Sequence, residues 1–285
     1  TDSVTFVSPI SNADPANSSI SATGPIDADG QAYSLVTITL RDSSNAAVVG
    51  EAANFSASGT GNTKDSCSLT DASGVSTCKL YSTVAEAKTL AITTPSNAGF
   101  SSVTTSVTFN QVPNTSGSSI ACTPTVVVAN NSSTTSCTVT IKDYANTAIA
   151  NTAVSVAVTG TGNTLTSCSG NTDASGVLSG CLVKSSSTGT KTISISTPSS
   201  LTSKSTQVEF TAPDVSVSNS SISCAGSAVA NGVAYTTCTI TVKDGGNVAM
   251  AGVSGAFGGT NVTVSDCSGV TTDNNGEITC RVKST

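Results

Sequence analysis

The sequence repeats itself three times with a period of about 101 residues, and this repeat restricts the chain to folds built of like parts. The clearest marks are the hexapeptides TITLRD, TVTIKD and TITVKD, which begin at Thr37, Thr138 and Thr239. The segments TDASGV, TDASGV and TDNNGE follow in the same order within each repeat. A unit of about a hundred residues can enclose its own hydrophobic core. We therefore expect three separate globular units, here called beads 1, 2 and 3.

Each repeat has the pattern of β structure. Apolar residues alternate with Ser or Thr in residues 36–40, 137–141 and 238–242, which is the period of a strand with one buried face. Clusters of Asp, Asn, Ser and Gly between such segments are typical of turns. About seven short strands in a hundred residues favour a sandwich of two packed sheets. The predicted fold class is therefore all-β, with tandem immunoglobulin-like (Ig-like) β-sandwich domains braced by disulfides.

The repeat marks also set the expected bead boundaries. SVTF at residues 3–6 matches SVTF at 106–109, the last predicted strand of a repeat, while bead 3 has no counterparts of KTISIST and QVEF. We therefore expect the chain to be a window from a longer array, in which bead 3 is truncated and lacks its last two strands. The predicted divisions are a final strand of a preceding repeat at 1–8, bead 1 at 9–111, bead 2 at 112–212 and bead 3 at 213–285.

The connectors between beads are short and contain proline, at Pro9, Pro113 and Pro213. Proline fixes one backbone dihedral and stiffens a connector, in contrast to a flexible Gly/Ser linker. With strands of eight to ten residues at about 3.4 Å per residue, three beads would form a rod on the order of 100 Å long.

The composition argues against several classes of function. The net charge is −6, whereas nucleic acid binding needs a basic surface. The chain has no His, the commonest general base and metal ligand, and its acidic residues form no recognisable catalytic motif. It also lacks the roughly eighteen consecutive apolar residues of a membrane span. We expect a protein that is not an enzyme, with no catalytic residue, cofactor, metal site, nucleic acid partner or membrane contact.

The ten cysteines indicate an oxidising compartment, because cytosolic thiols are kept reduced. Bead 1 has two cysteines and beads 2 and 3 have four each, so pairing can close within every bead. Four cysteines permit three connectivities. A zinc site is disfavoured because the chain has no CxxC motif and no His.

Comparison of the repeats selects one connectivity. The positions of Cys122 and Cys137 are occupied in bead 1 by Ala22 and Val36, and this joint loss indicates that the two cysteines are partners. Alternation places their bridge on the core side of the strand. The remaining pair in each bead closes a hairpin around the TDASG or TDNNG turn. The predicted disulfides are Cys67–Cys78, Cys122–Cys137, Cys168–Cys181, Cys224–Cys238 and Cys267–Cys280.

Together these marks resemble a known family. The turns at residues 29–31 and 231–233, the K/R-D hexapeptides and the T-D-x-x-G segments are similar to those of the group 1 bacterial Ig-like domain, found in tandem in invasins and intimins. The resemblance covers each repeat from its opening SSI onwards. It implies surface-exposed stalk units that hold an adhesive tip away from an outer membrane. The cysteine pairs go beyond the family's generic pattern, and no tip is recognisable here, so no adhesive residue can be assigned.

Other candidate sites are weaker. DADG at 27–30 resembles a calcium loop but lacks its closing Glu, and GTGNT at 59–63 and 160–164 lacks the Lys of a phosphate loop, so we expect a turn and hairpin loops. The recurring Asp71, Asp173 and Asp273 are expected to start turns. Sugar binding normally uses exposed aromatic rings, and the only tyrosines available are Tyr33, Tyr81, Tyr144 and Tyr235. Tyr33 and Tyr235 occupy the same repeat position, where we expect packing or an incidental surface ring. The seven glycosylation sequons match what this Ser- and Thr-rich composition produces by chance; they are at Asn17, Asn54, Asn114, Asn130, Asn131, Asn219 and Asn261.

The predicted function is structural: an extracellular spacer, stalk or filament segment on a bacterial cell surface, in a longer adhesin-like protein. Its expected partners are neighbouring Ig-like repeats of the same or an adjacent chain. One alternative is a binding module whose loops contact a host receptor, a glycan or a phage-host surface. Another is a filament subunit in which residues 4–6 of one chain complete bead 3 of its neighbour by strand donation.

Overall fold

A computed structural model describes residues 11–96, 99–265, 267 and 271–284. The predicted final strand of a preceding repeat at residues 1–8 lies outside the described residues. The same holds for the donor strand at 4–6 and for the nature of the end at Thr285.

Bead 1 is a sandwich of two four-stranded sheets, ordered β1-β3-β6-β5 and β2-β8-β7-β4. Neighbouring strands are antiparallel except β2 and β8, which are parallel. A short 3-10 helix spans Phe100–Ser102. The strands are β1 Ser19–Ala22, β2 Ile26–Asp27, β3 Tyr33–Thr39, β4 Asn54–Ala57, β5 Asn62–Lys64, β6 Val75–Ser82, β7 Ala87–Thr94 and β8 Thr104–Asn110.

Bead 2 has the same plan, with sheets β9-β11-β15-β13 and β10-β17-β16-β12-β14. Here β10 and β17 form the parallel pair, and a 3-10 helix spans Ser199–Leu201. The strands are β9 Ser119–Thr123, β10 Val126–Val128, β11 Thr135–Thr140, β12 Ala153–Val158, β13 Asn163–Thr166, β14 Ser169–Asn171, β15 Val177–Ser185, β16 Gly189–Thr197 and β17 Ser205–Thr211.

In bead 3 the described residues form one four-stranded sheet, β18-β19-β21-β20, which corresponds to the first sheet of the other beads. Its buried apolar cluster is small and consists of Cys267, Ile278 and Cys280. Ile222 is 61% exposed, whereas its counterpart Ile20 in bead 1 is 7% exposed. The strands are β18 Ser221–Cys224, β19 Thr236–Thr241, β20 Val262–Ser265 and β21 Glu277–Ser284.

The cores of beads 1 and 2 lie between their two sheets, on the faces that alternation predicts. Along β3, for example, Ser34, Val36 and Ile38 are fully buried, while the residues between them are exposed or half-buried. The predicted fold class, all-β with tandem disulfide-braced Ig-like beads, is confirmed. None of the described helices has the length and hydropathy to span a lipid bilayer.

The prolines of the two connectors do not share one structural position. The amides of Asn114 and Ser216 both donate to the carbonyl of the lysine in the following K-D turn, which sets the register of the two connectors. In that register Pro113 lies one residue before the bonded amide and Pro213 lies three residues before it. A shared hydrogen bond, and not a proline at one fixed position, therefore defines the joint.

Candidate functional site: the disulfide rows and the joints between beads

In every bead a disulfide joins the segment just after an edge strand to the neighbouring strand of the first sheet. The structure joins the cysteines in the five pairs that comparison of the repeats predicts, and the described residues include no free cysteine. In bead 2, Cys137 on β11 lies opposite Cys122 on β9 and also opposite Cys181 on β15. Two disulfides therefore lie side by side in one row across the sheet, and bead 3 has the same row.

Bead 1 keeps the row but replaces one disulfide with apolar packing. Ala22 lies opposite Val36, and Val36 lies opposite Cys78. Cys122 and Cys137 of bead 2 are almost fully buried, which confirms that their bridge faces the core. Val36 is fully buried at the equivalent place. The pair Ala22 and Val36 thus fills the same part of the core without a covalent link.

The T-D-x-x-G segments form turns capped by their aspartates. Oδ1 of Asp173 accepts hydrogen bonds from the amides of Ser175 and Val177 at 2.8 and 2.9 Å. Asp71 and Asp273 accept the same two bonds in their own beads. The predicted role of these three aspartates is confirmed, and it explains why they recur in every bead.

The aspartates of the K/R-D hexapeptides cap a second turn, at the end of the bead that faces its predecessor. Oδ1 of Asp42, Asp143 and Asp244 accepts backbone amides two and four residues further on, at 2.8 to 2.9 Å. One carboxylate oxygen is therefore used within the turn, and the other is left to face outwards.

In the second joint this outward oxygen binds the preceding bead. Asn130, in the loop after β10, donates its Nδ2 hydrogen to Oδ2 of Asp244 at 2.6 Å. The other end of the Asn130 amide is held by its own loop, because Oδ1 accepts the amides of Ser132 and Ser133 at 3.0 and 2.8 Å. Asp244 is 2% exposed, so this bond is shielded from water.

In the first joint the same acceptor binds a different donor. The loop position of Asn130 is occupied in bead 1 by Asp29, whose carboxylate cannot donate a hydrogen bond when ionised. Gln111 of the connector donates instead, from Nε2 to Oδ2 of Asp143 at 2.9 Å and to the carbonyl of Ala148 at 3.3 Å. Both joints therefore place an amide N–H on the second oxygen of the K-D aspartate.

Hydrogen bonding lowers the pKa of two of these carboxylates, those of Asp42 and Asp244. Burial of Asp244 favours its protonated form, but the bonds from Asn130 and from the amides of Val248 and Gly246 outweigh it and lower the pKa below 3.8. The Ser44 hydroxyl and the turn amides lower the pKa of Asp42 in the same direction. Asp42 and Asp244 are therefore negative at neutral pH, which makes the bond from Asn130 to Asp244 charge-assisted and stronger than a neutral one.

Two lysines occupy buried positions that sequence reasoning missed. Lys88 is fully buried, and its ammonium donates to the Thr60 carbonyl at 2.9 Å and to Oε1 of Glu86 at 2.7 Å. Lys191 of bead 2 donates to the equivalent carbonyl, that of Thr161, at 3.2 Å. The GTGNT segments thus form loops that supply carbonyl oxygens to a buried ammonium group. The available signal was a lysine that follows the first threonine of GTGNT by 28 residues in bead 1 and by 30 in bead 2.

A partly exposed aromatic group lies on the first sheet of bead 1. The rings of Tyr33 and Tyr81 have centroids 5.8 Å apart, and the ammonium of Lys79 lies 4.4 Å from the Tyr33 centroid. Bead 3 has an equivalent cation–π pair, formed by Tyr235 and Arg281 at 4.8 Å. These cations account for the tyrosines at this position, where the sequence alone predicts packing or an incidental surface ring.

Several sequon asparagines have structural roles. The Nδ2 groups of Asn17 and Asn219 donate to the carbonyls of Asp42 and Asp244 at 2.8 and 2.9 Å, and Nδ2 of Asn130 donates across the second joint. A glycan on any of the three would interrupt these contacts. In DADG, Oδ1 of Asp29 accepts two amides of its own loop, which confirms the predicted turn. Among the described residues no three acidic or sulfur-bearing side chains are grouped to hold a metal ion.

Comparison with known proteins gives a family match within bead 2. Residues 117–211 match the family model of the bacterial Ig-like domain (group 1). No curated protein sequence gives a significant match.

Solved structures similar to this chain include a bacterial integrin-binding protein and an adhesin. Invasin, described as a bacterial integrin-binding protein, is 19% identical over 94% of this chain and 54% of its own, with a TM-score of 0.48. The Escherichia coli adhesin FdeC is 19% identical over 95% of this chain and 89% of its own, with a TM-score of 0.46. Yersinia pseudotuberculosis InvD is 18% identical over 95% and 84%, with a TM-score of 0.40. This chain spans about half the length of the invasin chain.

Proposed function

We propose, from the match of bead 2 to the group 1 bacterial Ig-like domains, that this chain is an extracellular spacer. It would form a stalk or filament segment of an adhesin-like protein on a bacterial surface, and its role would be mechanical rather than catalytic. Buried disulfides in every bead support an oxidising location outside the cytoplasm.

The observation that carries this proposal is the construction of the joints. Gln111 binds Asp143 in the first joint and Asn130 binds Asp244 in the second, so two different amides bind the same carboxylate oxygen. A flexible tether would need neither bond. Hydrogen bonds at these buried aspartates favour a fixed angle between consecutive beads.

The disulfide rows support the same role. A bridge between neighbouring strands keeps the enclosed loop closed even when the rest of the bead is pulled open. The two bridges of bead 2 enclose segments with separations of 15 and 13 residues, against 11 for the single bridge of bead 1. Each bridge therefore limits how far an opened bead can lengthen.

The orientation of beads 1 and 2 tests the proposal. We expect NMR residual dipolar couplings of the whole chain to give one common alignment tensor for both beads. Gln111→Glu places two carboxylates against each other. The two beads should then reorient independently, so that their alignment tensors differ. Gln111→Glu combined with Asp143→Asn exchanges donor and acceptor, and it should restore the common tensor.

Gln207→Glu is the matched control, because it makes the same change at an exposed position of β17, away from the joint. It should leave the tensors of beads 1 and 2 equal. Independent tensors in the unaltered chain would contradict the spacer proposal, as would a Gln111→Glu variant that behaves like the control.

Binding is the second candidate function, and the exposed tyrosine group of bead 1 favours it. Tyr33 is 43% exposed beside Lys79 and Tyr81, and it offers an aromatic edge to a sugar or receptor surface. If the chain is only a spacer, glycan arrays and receptor pull-downs should show no saturable binding to it. Saturable binding that Tyr33→Ala abolishes would instead assign bead 1 a recognition role.

A further inference from the structure

Cys137 of bead 2 lies opposite two other cysteines, one on each neighbouring strand. It is bonded to Cys122 on β9, and it also faces Cys181 on β15, which is bonded to Cys168. Directly opposite residues on paired strands have Cβ atoms about 4.5 to 5.5 Å apart, only slightly more than the 3.5 to 4.5 Å or so that a disulfide spans. Cys137 could therefore bond to either neighbour after a small shift.

The row places the three sulfurs in the order that disulfide exchange requires. In exchange a thiolate attacks one sulfur of a disulfide and the other sulfur leaves. Cys122, Cys137 and Cys181 come from three adjacent strands, and all three side chains face the same core. Cys181 thus approaches Cys137 from the side opposite Cys122. The attacking, central and leaving sulfurs would lie along one line across the sheet.

The other beads repeat this row or interrupt it. In bead 3, Cys238 lies opposite both Cys224 and Cys280. In bead 1 the central position is Val36, which faces Cys78 and has no sulfur to exchange. Beads 2 and 3 therefore contain a possible exchange site, and bead 1 supplies an internal control.

We propose that Cys137 is a site of internal thiol–disulfide exchange, started by a small thiol such as glutathione. Cys168 is 6% exposed, the most accessible of the four cysteines in bead 2. The small thiolate bonds to the Cys168 sulfur and releases Cys181 as a thiolate. Cys181 then bonds to Cys137, the bond from Cys137 to Cys122 breaks, and the Cys122 thiolate takes a proton from water. One small thiol is bound, and the number of disulfides is unchanged.

Exchange would alter how far bead 2 can lengthen, so its role rests on the proposed spacer function. Once the bridge at Cys168 opens, the remaining native bridge closes a segment with a separation of 15 residues. The new bridge joins Cys137 to Cys181, which are 44 positions apart. At about 3.4 Å per residue, a bead that is pulled open after exchange would be about 100 Å shorter than one without exchange. Loss of one bridge would thus leave the bead more tightly limited.

Cys168→Ser tests the exchange without any reductant, because it leaves Cys181 as a thiol beside the bridge of Cys137. Thiols are trapped with N-ethylmaleimide in acid, and the chain is then unfolded and mapped by mass spectrometry. We expect labelled thiol at both Cys122 and Cys181, with about a tenth or more of the molecules in the exchanged form. Exchange should be faster at mildly alkaline pH, because the thiolate is the nucleophile. Cys67→Ser is the matched control in bead 1, and its thiol should remain at Cys78 in every molecule.

A second variant, Cys122→Ala with Cys168→Ser, keeps only Cys137 and Cys181 in bead 2. Alanine is the residue that bead 1 has at the position of Cys122, so it suits the core. We expect these two cysteines to be bridged in every folded molecule. In the unaltered chain, limited treatment with reduced glutathione should give a Cys137–Cys181 bridge, with glutathione on Cys168 and a free thiol at Cys122.

Free thiols at both Cys137 and Cys181 in the folded second variant would overturn the proposal, as would a Cys168→Ser chain whose thiol is confined to Cys181. If the variants fail to fold, the glutathione experiment decides. A native Cys122–Cys137 bridge in every treated molecule would then overturn the proposal, whether or not glutathione has bound Cys168. The alignment test of the spacer function uses the fully bridged chain, so failure of either proposal is recognised separately.

Discussion

Single residues explain why the T-D-x-x-G mark recurs. Its glycine has a positive φ in each bead, +72° at Gly176, and a Cβ there would lie 2.6 Å from the carbonyl oxygen of Ile141. Only glycine combines that backbone conformation with so close an approach. The turn and the K-D strand are therefore in direct contact, which is why the two sequence marks repeat together.

Gly176→Ala should consequently destabilise bead 2 by about 2 to 3 kcal/mol, from backbone strain and the close contact together. Gly180→Ala is the matched control, since Gly180 has a similar φ of +79° but nothing within 4 Å of a Cβ. It should cost only the strain, about 1 kcal/mol. Urea unfolding, followed by the NMR signals of bead 2, measures the free energy of unfolding of both variants. Equal losses of stability in Gly176→Ala and Gly180→Ala would show that the contact with Ile141 contributes nothing.

The ionisation of Asp244 gives the second joint a pH dependence. Its folded pKa is lowered below the ordinary value of 3.8, because the hydrogen bonds from Asn130 and the turn outweigh burial. A lowered folded pKa means that the carboxylate stabilises the joint above the unfolded pKa. That contribution is lost as pH falls through the lower folded value.

Acidification below the ordinary pKa should therefore loosen the contact between beads 2 and 3, and neutral or mildly alkaline pH should leave it unchanged. A carbon-detected NMR titration of the Asp244 carboxyl, with the Asn130 side-chain amide followed in parallel, measures this. Asp244→Asn should remove the dependence. An Asn130 amide signal that does not respond to protonation of Asp244 would contradict the assignment.

At the level of strands and bridges, the disulfide row shows two ways to fill one position. Cys122 and Cys137 lie opposite each other in bead 2, and Ala22 and Val36 do so in bead 1. The bridge closes a loop with a separation of 15 residues, which in the chain-entropy model contributes roughly 3 kcal/mol.

Cys122→Ala with Cys137→Val should therefore leave bead 2 folded, with a loss of stability near the roughly 3 kcal/mol that the bridge contributes. Cys122→Ser with Cys137→Ser should cost about 2 kcal/mol or more beyond it, because two hydroxyls are placed in the core. Thermal unfolding followed by NMR distinguishes the variants, with bead 1 as an internal reference. Equal losses of stability in the Ala/Val and Ser/Ser variants would show that the apolar pair of bead 1 does not replace the bridge in filling the core.

Elements with a local sequence signal could be predicted, and contacts between elements mostly could not. Alternation around Val36 and Cys137 fixed the buried faces, and the joint replacement of two cysteines indicated their pairing. The K/R-D motif was visible as a repeat mark, but its role was not. Asn130 and Asp244 are 114 residues apart, and only the folded beads bring them together.

At the level of the whole molecule, the proposed spacer is a line of beads whose joints are held by side-chain amides on recurring aspartates. Connector length alone would permit any angle between beads. The hydrogen bonds of Gln111 and Asn130 restrict that angle, and the second joint has no connector amide to replace the one from its loop. Overall length in solution therefore depends on the joints as much as on the beads.

Small-angle X-ray scattering of the dilute monomer measures that length most directly. Three beads in a line on the order of 100 Å long have a radius of gyration of about 30 Å, whereas one compact globule of this size has about 19 Å. We predict the larger value, with the scattering of a rod. A radius near the smaller value, or the featureless scattering of beads on a flexible tether, would contradict the account.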